Sequence, residues 1–466
     1  MGRRRTTESA VDIEATGEWW NPGDLVTRWA GTLRIGQDGG ARLILNDPPD
    51  LQILLRQHRE YDALHGLTND GKRVTLLRCF DVSTGGPSGG LGRREIFANA
   101  VLVGIHADGP DPLLSGVTGV FRHARSWYGR SNLRVADFVS MQTFKLAYEA
   151  APAVTLYEED GVTLRMVPTV ASLPSALDED GQFQVQEELR FTINTDTPRH
   201  FSELNRMLAA CQDLLSVACQ DYCDVERWCA HQGPGIETRE ASYHAEPVFR
   251  GNARKRGALQ PLFCFDDIVD APSTYFTRWL NEAERLSSIR SLYFLAVYGD
   301  QFVQGRFMAL AQAIEAFHRR YRQGEYMDPS AFEMTVAKSL YAAIPKGIDS
   351  SLMQSMRSRI KFGNEYSLPK RLTDLLTEHL PALEPVVPDP KRLVREIAER
   401  RNRFTHFPDL PDSTDDTGAA WLGYNALLRL LLELSFLKLI GFNDEKLKEL
   451  VDRGHGRLQM IRRFLP

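Results

Sequence analysis

The hydrophobic period of this chain changes near residue 287, and that change constrains its fold more than any other feature. Upstream, from about Trp19 to Ile193, apolar residues come in short runs rich in β-branched side chains, separated by Gly, Pro, Asn and Asp. Side chains of a strand alternate between two faces and tight turns need those breakers, so the pattern specifies strands with short connections. It predicts strands over residues 30–35, 41–45, 73–80, 96–105, 163–167 and 183–193, with a hairpin turn at Asn69-Asp70-Gly71. Helices over 199–218 and 273–286 close this half. Downstream, Val303, Phe307, Leu310, Ile314, Phe317 and Tyr321 recur at intervals of three and four, the apolar stripe of a helix over 301–321. Further helices are expected over 331–343, 350–361, 369–380, 391–404, 419–440 and 444–453; Asp389-Pro390 starts the fourth of these and Gly441 stops the fifth. At 466 residues the chain exceeds one ordinary core. The fold class is therefore α+β: a β-rich N-terminal region followed by an all-α helical bundle, with a basic tail over 1–16, the first region over 17–290 and the second over 291–466.

A formal net charge of -5 excludes a protein coated with positive charge for nucleic acid, so any such contact must be a local patch. One exists. Between Lys391 and Arg403 six basic residues (Lys391, Arg392, Arg395, Arg400, Arg401, Arg403) face two acidic ones (Glu396, Glu399). A solvated helix face would show the same excess. Six cysteines and no secretory apolar segment after Met1 point to free thiols in a reducing cytoplasm. Cys211, Cys219, Cys223 and Cys229 follow an apolar helical pattern and are read as core positions, since only Cys219 and Cys223 approach zinc-ligand spacing. Met1-Gly2-Arg3-Arg4-Arg5-Thr6 matches an acylation pattern, which a basic tail explains equally well. The most apolar stretch, 426–442, is interrupted by Arg429, Glu433 and Lys438 and is read as an amphipathic helix buried in protein, so no membrane is expected. Gly85-Gly86-Pro87-Ser88-Gly89-Gly90-Leu91-Gly92 lacks the Gly-Lys-Ser/Thr ending of a phosphate loop and is read as a plain loop.

Chemistry concentrates at Arg401-Asn402-Arg403-Phe404-Thr405-His406. A permanent cation, an amide and an imidazole suffice to cleave RNA, whose 2'-OH is its own nucleophile. An imidazole, ordinarily titrating near pH ~6.5, serves as acid or base at neutral pH. The guanidinium offers a planar fork of donors to the oxygens where charge builds up. Residues five apart on a helix are rotated by about 140°, whereas residues four apart share a face. Thus Asn402 and His406 align and Arg401 does not. Either the helix ends near Phe404 and the chain turns His406 back, or a second protomer completes the pair. The bland alternative is that Arg401 and His406 only cap a helix C-terminus.

The motif, Arg then a polar residue, three more and His, resembles the hallmark of the HEPN superfamily. The helix containing Phe307-Met308-Ala309-Leu310-Ala311-Gln312-Ala313-Ile314-Glu315 resembles the first HEPN helix of ApeA-type proteins. Ser367-Leu368-Pro369-Lys370-Arg371-Leu372 is similar to their middle segment and Leu431-Leu432-Glu433-Leu434-Ser435-Phe436 to their last helix. Gly17-Glu18-Trp19-Trp20-Asn21-Pro22, Trp29-Ala30-Gly31-Thr32-Leu33 and Leu43-Ile44-Leu45 resemble the opening of the ApeA N-terminal domain. The resemblance implies an antiphage ribonuclease, with catalytic Arg401, Asn402 and His406 and no cofactor or metal. Arg395, Arg400 and Arg403 would touch RNA, and Glu315 would support the catalytic arginine. It further implies a homodimer through the HEPN domain, and a β-rich region that senses a phage-derived trigger. Two rivals remain: a silent HEPN module for RNA binding or dimerisation, and a toxin held by a partner nucleotidyltransferase.

Overall fold

Alternation along the first strands closes a barrel. In the computed structural model, which describes residues 11–46, 60–82, 94–140, 143–172, 185–233, 238–247, 261–406 and 418–465, β1 (Val11–Trp20), β2 (Arg28–Gly36), β3 (Ala41–Leu45), β4 (Glu60–Thr68), β5 (Arg73–Val82) and β6 (Arg94–Val103) pair antiparallel in the order β6-β3-β2-β1-β4-β5 and back to β6. Every second side chain of β2 turns inward, and Trp19, Leu33, Ile35, Leu43, Leu76 and Val101 fill the interior. Trp19 needs space and a partner. Its indole N–H donates to the Gly31 carbonyl at 3.1 Å, and Gly66, paired with Trp19 across the strands, has no Cβ because one would fall inside the Trp19 ring. The Asn69-Asp70-Gly71 turn joins β4 to β5 with Gly71 at φ 81°, as its sequence predicts.

The same edge of β6 that pairs with β3 also takes β14 (Arg239–Ala245), which leads through β13 (Val225–Gln232), β7 (Leu113–Phe121), β12 (Gln186–His200) and β11 (Val162–Ser172) to β10 (Val154–Glu159). A separate hairpin joins β8 (Leu133–Ser140) to β9 (Thr143–Tyr148). Helix α1 (Phe201–Cys219) packs on β7 and β12, close because a Cβ on Gly119 would sit 3.0 Å from Leu208. Cys211 and Cys219 lie on its buried face and Cys223 just beyond, so these cysteines are core. Burial pushes the Cys211 thiol well above its ordinary range. Helix α2 (Pro272–Asn281) stops short of the expected 286.

Several expectations are corrected here. Residues 11–16, read as tail, belong to β1; its alternation of Asp12, Glu14 and Thr16 with Ile13 and Ala15 looks polar until β2 pairs with it along that length. Strands β4 and β7 escape sequence reading because His65, Gly66, Gly116 and Gly119 interrupt their apolar runs. Residues 1–10 and the glycine-rich segment lie outside the described residues.

The chain divides into two compact units, Met1–Leu280 and Asn281–Pro466. The second is helical: α3 (Ser287–Tyr298), α4 (Val303–Tyr321), α5 (Ser350–Lys361), α6 (Leu368–Glu378), α7 (Pro390–His406), α8 (Gly418–Ile440), α9 (Asp444–Arg453) and α10 (His455–Phe464). Helix α4 packs between α3 and α8, and α10 lies on α8. Length and composition would let α8 cross a bilayer, but its most apolar window is 78% buried in the protein. The expected amphipathic stripe is absent because α8 is surrounded on nearly all sides. Its Glu433, fully buried, holds Arg429 at 2.7 Å and Arg457 at 2.5 Å and accepts from the Tyr293 hydroxyl at 2.5 Å. The helix expected over 331–343 runs without interruption from Pro329, capped by Asp328, to Ala343, with a π turn at Glu333–Ala337 inside it.

Candidate active site

Helix α7 starts where Pro390 supplies a preset φ and the Asp389 carboxylate accepts from the Arg392 amide at 3.0 Å. Leu393, Val394, Ile397 and Ala398 are buried, while Arg395, Asn402 and Arg403 are exposed. The helix does not end at Phe404. It continues through His406, with the Thr405 hydroxyl donating to the Arg401 carbonyl at 2.8 Å and no proline before Pro408. The turn that would bring His406 back to Arg401 is therefore not made. The two positions are about 140° apart on one continuous helix. The His406 side chain lies outside the described residues.

Arg401 and Asn402 line a cleft of about 360 Å³. Its opposite wall is Glu315 and Arg319 of α4, and its rim is the segment Phe362, Glu365, Tyr366 and Ser367 that leads into α6. Two segments far apart in sequence, 307–320 and 367–372, thus meet the Arg401 motif at one place. The N-terminus of α6 opens here, adding the partial positive charge of its unpaired amides. Arg319 is held by two carboxylates, Glu365 at 2.6 Å and Glu315 at 3.1 Å. Glu315 is thus paired with Arg319, where support for Arg401 was expected. Arg401 Nη1 donates to Asn402 Oδ1 at 3.4 Å, which leaves most of its fork for a ligand.

Below the cleft, Arg371 and His318 are almost fully buried. Arg371 donates to the Tyr366 carbonyl at 2.9 Å and to His318 Nδ1 at 3.2 Å. Because an arginine only donates, His318 Nδ1 accepts and its Nε2–H donates to Asp374 at 3.2 Å. Burial pushes the His318 imidazole below its ordinary pKa, against the pull of Asp374, which suits a neutral ring. This network fixes the backbone of the cleft rim. The stem of the same rim is laced shut: Asn364 accepts from the Met327 amide at 3.1 Å and donates to its carbonyl at 2.8 Å, and the Tyr366 amide donates to the Gly324 carbonyl at 2.7 Å.

None of the three arginines expected to contact RNA lines the cleft. Arg400 turns toward α8, its guanidinium 4.5 Å over the Tyr424 ring, and Arg395 and Arg403 lie on the exposed surface of α7. Conversely, Phe362, Glu365 and Tyr366 carry no sequence signal for the site; only the adjoining 367–372 segment stands out. Among the described residues, no group of three His, Cys, Asp or Glu side chains is placed to hold a metal ion.

Comparison with known proteins matches residues 14–279 to the ApeA N-terminal domain 1 and residues 308–446 to the Apea-like HEPN domain. No curated protein and no solved structure matches the chain.

Proposed function

The chain belongs to the ApeA family, as a HEPN-type antiphage defence protein, and from that premise we propose that it is an endoribonuclease that cuts RNA by attack of its 2'-OH. The observation that carries this reading is the cleft, where Arg401 and Asn402 meet the first and middle segments of the HEPN module. Arg401 binds the non-bridging phosphate oxygens and stabilises the charge of the pentacoordinate state. Asn402 orients the phosphate or the imidazole. His406 removes the 2'-OH proton or protonates the 5'-leaving oxygen, worth about 10² to 10⁴ in rate. The products are a 2',3'-cyclic phosphate and a 5'-OH, and no step calls for a metal. Helix continuity supports a homodimer in which Arg401 of one protomer and His406 of the other serve one phosphate. The β-rich region restrains this site until a phage-derived trigger binds.

Cleavage of total cellular RNA by the purified protein in EDTA, with and without phage lysate, tests the reading. Activity lost in both Arg401→Ala and His406→Ala and indifferent to chelation is the expected result. Equal cleavage by the His406→Ala protein would refute it.

A further inference from the structure

The rim of the cleft carries aromatic surface that nothing in the phosphate chemistry uses. Phe362 is 54% exposed although it lines the cleft, and Tyr366, four residues on and half-buried, lines it too. The Tyr326 ring, 57% exposed, stands 4.7 Å from Tyr366 at 63° and packs against it in an edge-type contact. Cations sit over both rings, Lys361 Nζ at 5.6 Å from Phe362 and Lys370 Nζ at 5.1 Å from Tyr366. Exposed aromatic rings cost free energy in water, and these are held by the laced stem and by the buried Arg371. Rigid rings interleaved with cations, next to a guanidinium that faces open space, match an unpaired nucleobase attached to a phosphate.

We propose that Phe362 and Tyr366 form a stacking subsite for an unpaired base of the RNA whose phosphate Arg401 holds. The proposal rests on the ribonuclease reading and adds a selection: a base still paired in a duplex cannot reach the rings, so the site takes single-stranded segments and sets which nucleotide flanks the cut. Glu365, tied to Arg319, lies between the two rings in sequence and offers acceptors to the edge of the stacked base.

The test uses the full chain carrying His406→Ala, so that RNA stays intact, and measures binding of a labelled single-stranded RNA and of the same RNA annealed to its complement. Phe362→Leu keeps the apolar bulk and removes the ring; Phe362→Trp keeps a ring. Phe362→Leu should weaken single-strand binding by about tenfold or more, Phe362→Trp should preserve it, and duplex binding should be the same in all three. Because Phe362 is half exposed, thermal unfolding of the leucine protein should match its parent. Single-strand binding unchanged in Phe362→Leu, or weakened equally for the duplex, would overturn the subsite and leave the ribonuclease reading standing. Failure of the parent to bind single-stranded RNA, both without and with the phage lysate that lifts the proposed restraint, would overturn both.

Discussion

Mixing two dead proteins should restore cleavage. Helix α7 is continuous from Pro390 to His406, and five residues advance a helix by about 7.5 Å and about 140°. With Arg401 facing the cleft, position 406 is turned about 140° from it on the same helix, and the proposed shared site has each phosphate take the two groups from different protomers. In a twofold dimer each of two sites would combine Arg401 of one chain with His406 of its partner. Arg401→Ala and His406→Ala homodimers each have two broken sites. In a mixed dimer one site receives both substitutions and the other receives neither. Random exchange makes about half of the dimers mixed, each with one intact site of two, so about a quarter of wild-type activity should return. The assay is release of a fluorophore from a quenched RNA substrate after subunit exchange, activated as the wild type requires. The doubly substituted Arg401→Ala/His406→Ala chain mixed with inactive His406→Ala is the control and should stay silent. If the two single mutants, shown by native mass spectrometry to have exchanged, recover nothing, the shared-site geometry is wrong.

Three further outcomes are expected. Deleting residues 1–280, which leaves the helical unit with its own core, should raise RNA cleavage if the N-terminal region is a restraint; a fall in activity from a folded, dimeric fragment would refute that role. Glu433→Gln removes the buried carboxylate that balances half-buried Arg429 and Arg457, and should destabilise the helical unit by about 3 kcal/mol in urea unfolding followed by a probe in that unit; a change below about 1 kcal/mol would mean water reaches the pair. Burial pushes His379 down to about 4, so the folded chain refuses a proton that the unfolded chain takes near its ordinary value of about 6.5. Stability is then fully present above about pH 6.5 and declines as pH falls toward about 4, by about 3 kcal/mol at most, a slope that His379→Gln should flatten in pH-dependent denaturation curves.

Much of the candidate site is local and was legible for that reason. Arg401, Asn402 and His406 announce themselves by type and spacing, and a helix carries spacing directly into angle. The charge excess around them did not show which side chains line the cleft, because composition does not say which way a side chain turns: Arg400 stacks on Tyr424, and Arg395 and Arg403 lie on the exposed surface of α7. Glu315 lines the same cleft as Arg401, and its ion pair is with Arg319, one helical turn away, a pairing that the family resemblance did not supply. Phe362, Glu365 and Tyr366 could not be read at all. Their segment has no helical or strand period, and it becomes a wall only when Asn364 ties it to Met327.

By itself, then, the sequence determined the change from strand period to helix period, the turn at Asn69-Asp70-Gly71, most helices of the second unit and the three-residue motif, all features written in neighbours a few positions apart. Tertiary structure alone decided that six strands close on themselves, that α8 is buried on nearly every side, and that residues 315, 366 and 401 share one cleft. Those depend on pairings between distant segments, whose free energy arises only when both partners are present and so leaves no periodic mark in either one.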